Sequence, residues 1–280
     1  MSTSSSKRKE NTVATIVSCV NLKGGVGKTT LAVNMAAYFG KKNKRTLLID
    51  LDPQTNATFS CMEVDAWSQH AKKFGTVADL LGARQHTNAT AKQKTVKDVA
   101  LKGVFKNVDL IPSHLDLFTI DLDMAGATAR ETRLRKALAH VDNEYDVIIC
   151  DCPPNLTIPT QNALAASSFF VVPISADFLS ALGVGILLSR VNKLGDDLDQ
   201  KLNLAGIVIS RVGRPAFHRD EIVSQLRSTF KTDVLESVLT ERVRVAEAAA
   251  KQKSVFDAGD ATATAEFSAV YADIAKRIGI

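Results

Sequence analysis

Val20-Asn21-Leu22-Lys23-Gly24-Gly25-Val26-Gly27-Lys28-Thr29-Thr30-Leu31 is the stretch on which the reading of this chain turns. An apolar, β-branched run over residues 12–20 leads into it, and Leu31, Met35 and Phe39 follow it at helical spacing. Strand, glycine turn and helix in that order make successive backbone N–H groups converge on a phosphate at the helix N-terminus. Gly24, Gly25 and Gly27 let the backbone approach that closely, and Val26 fills the turn between them. Lys28 then bridges terminal phosphates as a point charge, the Thr29 hydroxyl ligates Mg²⁺, and Thr30 closes the first turn of an expected ATP site. The standard pattern asks for a glycine five residues before Gly27, where this chain has Leu22. Its loop begins instead with Lys23. A lysine there cannot easily curl onto its own phosphates while Lys28 occupies that space, but it can reach across a dimer interface. The plainer alternative is a solvated lysine beside a structural turn.

Outward from the loop, Val- and Ile-rich runs at residues 12–20, 46–50, 108–111, 147–151, 169–174 and 204–210 read as strands. Their near-continuous hydrophobicity means burial on both faces, as in a parallel sheet covered by helices. The segments between carry helical spacing, with Ile186, Val191 and Leu194 as one expected inward stripe. The fold class is therefore α/β: a doubly wound, mostly parallel sheet flanked by helices. No repeat with a period of about 20–50 residues appears. Residues 12–280 read as a single domain, preceded by a flexible basic tail over residues 1–11. Residues 82–107, with Arg84, Lys92, Lys94, Lys97, Lys102 and Lys106, read as an insertion over the sheet.

With 280 residues and 45% hydrophobic side chains the chain can bury a sizeable core. No apolar run of about 18 residues and no signal-type leader is present, so a cytoplasmic location is expected. Cys19, Cys61, Cys150 and Cys152 form no CxxC pair and read as reduced packing residues. The net charge of +5 permits contact with a polyanion without requiring it.

Two acidic motifs complete the expected site. Asp50 and Asp52 close the apolar run Leu-Leu-Ile-Asp-Leu-Asp-Pro-Gln, and Asp151 closes Asp-Val-Ile-Ile-Cys-Asp-Cys-Pro-Pro. Carboxylates at the C-terminal ends of strands in an open α/β sheet point into the ligand crevice. Asp151 suits the role of holding Mg²⁺ directly or through water, with Asp50 as a second candidate; capping or turn roles are the alternative for each acid.

Lys23-Gly-Gly-Val-Gly-Lys-Thr-Thr, Leu-Leu-Ile-Asp-Leu-Asp-Pro-Gln-Thr-Asn-Ala-Thr and Tyr145-Asp-Val-Ile-Ile-Cys-Asp-Cys-Pro-Pro-Asn, in this order, resemble the ParA/Soj partition ATPases of the ParA/MinD group, P-loop NTPases with a deviant Walker A motif. The likeness runs from about residue 13 to the C-terminus, through Leu110-Ile-Pro-Ser and Arg242-Val-Arg-Val-Ala-Glu-Ala. It implies a Mg-dependent ATPase, weak on its own, in which ATP joins two monomers face to face. Lys23 of each would touch the other's nucleotide, and Lys28 and Asp52 would complete the catalytic set, Asp52 orienting the attacking water. It further implies non-specific binding to nucleoid DNA, with Arg214 and Arg244 at the family's basic positions and Lys251 and Lys253 nearby, and a ParB-like or other adaptor that stimulates hydrolysis. The short stretch before the first strand leaves no operator-binding helix-turn-helix, so autorepression is not expected. Ser210-Arg-Val-Gly-Arg-Pro differs from the usual family sequence, and adenine-reading residues stay unassigned.

Three rivals remain open on sequence. A MinD-like membrane ATPase needs a C-terminal helix with one strongly basic face, whereas Phe267, Val270, Tyr271, Ile274 and Ile278 have core-docking spacing and mixed charges around them. An iron–sulfur relative needs cysteines on exposed loops, whereas Cys150 and Cys152 share one face of a buried strand. The cargo could equally be a plasmid, a chromosome, chemoreceptor clusters or carboxysomes.

Overall fold

The computed structural model describes residues 13–83, 94–141, 143–210 and 217–280. The expected tail over residues 1–11, together with Arg84, Lys92 and Arg214, lies outside the described residues. Strands β1 (Thr15–Cys19), β2 (Thr46–Asp50), β3 (Leu101–Phe105), β4 (Val108–Ile111), β5 (Val147–Asp151), β6 (Phe169–Ser175) and β7 (Asn203–Ser210) form one sheet in the order β3-β4-β2-β5-β1-β6-β7. Every pairing is parallel except β3 against β4. All residues of β2 and β5 are buried, which is why their sequences are unbroken apolar runs rather than alternating ones.

β3 corrects one expectation. Residues 101–105 do not lie over the sheet but extend it as a half-exposed antiparallel edge, joined to β4 through Lys106 and Asn107. Asn107, the second turn residue, takes a left-handed φ of 58°, a conformation asparagine tolerates better than most side chains.

Side chains alternate across each strand, and the parity of the alternation places the site. Val17, Cys19, Leu48, Val147 and Ile149 pack in the layer that holds Leu31, Met35 and Phe39 of the helix Lys28–Lys41 and Phe267, Val270, Tyr271, Ile274 and Ile278 of the helix Ala261–Ile278. Leu47, Ile49, Ile148 and Cys150 face the opposite layer, where the helices Ile158–Ala166 and Phe178–Asp197 lie. Asp50 and Asp151, two positions beyond Leu48 and Ile149, therefore point to the side where the helix Lys28–Lys41 begins. Leu31, Met35 and Phe39 are each at most 2% exposed, and burying each side chain contributes about 1.5–3 kcal/mol. The Tyr271 hydroxyl ties the two helices together by donating to the Leu31 carbonyl at 2.9 Å.

The helix Phe178–Asp197 is rotated from the expected stripe. Val184, Leu187 and Val191 are buried with Leu194 half-buried, whereas Ile186 points outward at 49% exposure. The i, i+3, i+7 spacing from Val184 offers the better apolar face, and Ile186 lies off it.

Candidate nucleotide site

Gly25 (φ 75°) and Gly27 (φ 85°) hold left-handed backbone at the exit of β1, a conformation a side chain would strain. Gly27 is the N-cap of the helix Lys28–Lys41, and no side chain caps it. The N–H groups of the first helical turn have no intrahelical acceptors and add a partial positive charge at the mouth of the loop. Lys28 is only 6% exposed, and its ammonium donates to the Lys23 carbonyl at 2.9 Å, so it lies along the loop. Burial lowers its pKa, while the carboxylates of Asp151 and Asp52 pull it back up.

The register of the sheet sets Asp151 beside Cys19 of β1 and Asp50 of β2. Asp151 is fully buried, and neither carboxylate oxygen has a hydrogen-bond partner. Burial, reinforced by the nearby Asp50, drives its pKa well above the carboxylate range; the Thr29 hydroxyl, close by but short of hydrogen-bond geometry, and Lys28 pull the other way. A buried acid with two unused oxygens, facing a hydroxyl at a helix N-terminus, fits a hard divalent cation with oxygen ligands.

Asp50 is differently placed. Its Oδ2 accepts from the Thr58 N–H at 2.8 Å and the Thr58 hydroxyl at 2.7 Å, and its Oδ1 accepts from the Asp52 N–H at 3.1 Å. Burial raises its pKa to about 7 against the pull of these bonds. Among the two acids weighed for the metal, the structure makes Asp50 a brace for the loop after β2 and leaves Asp151 with oxygens to give. Asp52 is 6% exposed and lines the cleft; its Oδ1 accepts from the Gln54 N–H at 2.9 Å. Burial raises its pKa too, opposed by the Gln54 N–H and by Lys28.

Lys28, Thr29 and Asp52, with Asp50 and Asp151 buried behind them, open into a cleft of about 570 Å³, the size of a small-molecule site. Gly24, Gly25, Gly27, Lys28, Thr29, Thr30 and Asp52 form one end. The other end, formed by Leu239, Thr240, Glu241, Arg242, Val245 and Phe267, is where a nucleoside would lie, and the sequence reading had missed it. Glu266 holds this wall by accepting from the Thr240 N–H (3.1 Å), the Thr240 hydroxyl (3.0 Å) and Arg242 (2.7 Å). The stretch Arg242-Val-Arg-Val-Ala-Glu-Ala runs through it, but nothing in those residues places them against a phosphate loop more than 200 residues earlier.

Lys23 is exposed and lies outside the cleft lining, with its ammonium 2.6 Å from Asp177 Oδ2 just beyond β6. Arg244, Lys251 and Lys253 gather round one hollow of about 270 Å³ beside the helix Val243–Ala250, with Glu247 and Asp257 on its rim. All four cysteines are buried and unpaired, and Cys150 and Cys152 pack in the same core layer. Burial raises the Cys150 thiol to about 12, which keeps it protonated and inert.

A parallel sheet with a glycine loop, buried lysine and strand-end acid round one cleft defines a P-loop nucleotide-binding protein. Residues 14–204 match the AAA domain family. The chain is 34% identical over 242 residues to the chromosome-partitioning ATPase Soj of Thermus thermophilus, covering 85% of this chain and 86% of that one. It is 30% identical over 263 residues to the sporulation initiation inhibitor protein Soj of Bacillus subtilis, covering 94% and 97%. Among solved structures, the ATP complex of Cyanothece McdA superposes with a TM-score of 0.79 at 18% identity over 95% of this chain and 97% of that one, a likeness of fold. The protein belongs to the ParA/Soj family of partition ATPases.

Proposed function

We propose that this protein is an ATP-driven dimerising ATPase that binds DNA without sequence preference and positions a cargo, released when an adaptor stimulates hydrolysis. The observation that carries the reading is the fully buried Asp151 carboxylate, with both oxygens unpartnered, set behind Lys28 and Thr29, which line the phosphate end of the cleft. Asp151 and the Thr29 hydroxyl would hold Mg²⁺, which neutralises charge on the β- and γ-phosphates when bound. The loop amides and Lys28 would cradle the phosphates, and Asp52 would accept a hydrogen bond from the attacking water. Because phosphoryl transfer is catalysed mostly by position and charge, a site missing one positioned group is slow until a partner supplies it.

Lys23 supports the dimer reading because it reaches away from its own cleft. It would exchange Asp177 for the partner's nucleotide, which links ATP occupancy to association. The Arg244, Lys251 and Lys253 hollow is a suitable phosphate-contacting patch. The apolar side chains of the last helix are buried against the core, which speaks against a MinD-like membrane anchor.

The test is Asp52→Ala, studied by light scattering and DNA co-sedimentation. It should retain an ATP-dependent dimer on DNA while phosphate release stops. Unchanged turnover would show that something else positions the water, and a protein that stays monomeric when saturated with Mg-ATP would overturn the dimer.

A further inference from the structure

Asp52 is held from behind. Ser113, two residues past β4 and completely buried, donates its hydroxyl to the Asp52 carbonyl at 2.7 Å. Its N–H donates to the Thr58 hydroxyl oxygen at 2.9 Å, and that hydroxyl donates onward to Asp50 Oδ2. Its carbonyl accepts the indole N–H of Trp67 at 2.9 Å. Trp67, in the helix Val64–Lys73, is itself stacked on His114 with ring centroids 5.4 Å apart and meets Phe59 edge-on at 5.6 Å. All the hydrogen-bonding groups of Ser113 are thus engaged, and they tie the end of β4 to Asp52, Thr58 and Trp67, which lie 46 to 61 residues earlier in the chain.

The segment so held is under strain and needs support. Thr55, three residues after Asp52, sits at φ 57°, left-handed backbone that a β-branched residue rarely adopts. Asp52 has three backbone hydrogen bonds: its N–H donates to Asp50, and its carbonyl accepts from the Thr55 N–H at 2.9 Å and from the Ser113 hydroxyl; its side chain is fixed by the Gln54 N–H. Losing the Ser113 hydroxyl would leave the carbonyl on the strained Thr55 turn alone, loosening the peptide after Asp52 and with it the aim of the carboxylate. Ser113 is absent from the cleft lining, so the phosphate cradle would be untouched.

We propose that Ser113 is a positioning residue for hydrolysis, aiming the Asp52 carboxylate through the Asp52 carbonyl, and that Trp67 holds Ser113 in its working orientation. This rests on the assignment of Asp52 to the attacking water. A displacement of about 1 Å at a group that orients a reactant can cost about 100-fold in rate, so removing one of the two hydrogen bonds on the Asp52 carbonyl, with the Thr55 N–H still in place, should cost about 10-fold. The loss should fall on kcat and leave KM for ATP and the ATP-dependent dimer in place, since only the hydrolysis step uses the aim of Asp52.

Single-turnover and steady-state ATP hydrolysis, with light scattering for the dimer, would be measured on the wild type, Asp52→Ala, Ser113→Ala and Trp67→Phe. Trp67→Phe keeps an aromatic ring beside His114 and Phe59 while removing the indole N–H and part of the ring, so it serves as a second variant if Ser113→Ala folds poorly. The expected order of kcat is wild type, then Trp67→Phe, then Ser113→Ala, then Asp52→Ala, with KM within about twofold throughout. If Asp52→Ala loses hydrolysis while Ser113→Ala and Trp67→Phe keep wild-type kcat, the positioning role is wrong and the Asp52 assignment survives. If Ser113→Ala instead raises KM at unchanged kcat, its role is in nucleotide binding and the proposal falls. If Asp52→Ala hydrolyses ATP normally, the underlying assignment fails first, and the proposal with it.

Discussion

Replacing Asp151 by Asn should make the nucleotide-free protein more stable and the nucleotide-bound protein less so. Asp151 is buried with no hydrogen bond to either oxygen, beside Asp50 on the neighbouring strand. An unsatisfied buried polar group costs about 1–3 kcal/mol, and more when charged. Asn keeps the shape and removes the charge but leaves an amide to satisfy, so the net gain should be about 1–2 kcal/mol at pH 8, a rise in Tm of about 2–5 °C. The sign with pH follows from burial, which raises the Asp151 pKa, reinforced by Asp50. Between the ordinary carboxylate pKa and the raised native value, the folded state holds a proton that the unfolded chain has already released. Wild-type stability therefore falls as pH rises through that window, and Asp151→Asn removes this contribution, so its advantage should be small near pH 4 and grow toward pH 8. Saturating Mg-ATP, which at a hundredfold excess over Kd stabilises a protein by about 2.7 kcal/mol, should stabilise the variant much less, with no added effect of Mg²⁺ over EDTA. Thermal melts at several pH values, with and without ATP, Mg²⁺ and EDTA, read all of this. An apo variant that melts below the wild type at pH 8, an advantage that does not grow with pH, or a Mg²⁺-dependent stabilisation that survives the substitution would each refute the reasoning.

Lys28→Gln removes a charge-assisted bond to the terminal phosphates and should weaken ATP binding by about 100-fold in a fluorescent-nucleotide titration; unchanged affinity would remove the loop from the site. Lys23→Ala should bind ATP yet stay monomeric in light scattering, because its ammonium is outside its own cleft, and an ATP-dependent dimer would refute the cross-subunit role. Arg244→Glu combined with Lys251→Glu should weaken DNA binding and flatten its salt dependence by about 0.9 for each DNA phosphate no longer neutralised, while ATP-dependent association persists; an unchanged salt slope would place the DNA face elsewhere. Tyr271→Phe should cost about 1 kcal/mol in urea unfolding by removing the hydroxyl that the Leu31 carbonyl accepts beside its own helical bond, and a change under about 0.3 kcal/mol would show that this tie adds nothing.

The glycine loop ahead of the helix Lys28–Lys41 and the strand-end places of Asp50, Asp52 and Asp151 were legible in the sequence because the backbone that makes them is local. A glycine turn needs left-handed backbone at fixed positions, and a carboxylate at the end of a buried strand has few places to point. The strands of the parallel sheet were legible for the same reason, since burial on both faces writes itself as an unbroken apolar run. What the sequence left open was settled by contacts that no single residue announces. Asp50 braces Thr58, eight residues on, through the turn after β2, while Asp151 keeps both oxygens free, and nothing in an aspartate's own chemistry tells the two apart. The same holds for the wall from Leu239 to Val245 and for Ser113 behind Asp52. Each is brought to the cleft by chain reversal across the sheet, and its interactions exist only once the strands are in register. β3 and the rotation of the helix Phe178–Asp197 eluded the pattern because a half-exposed edge and a helix with surplus apolar residues leave the buried face to packing, which only the assembled core decides.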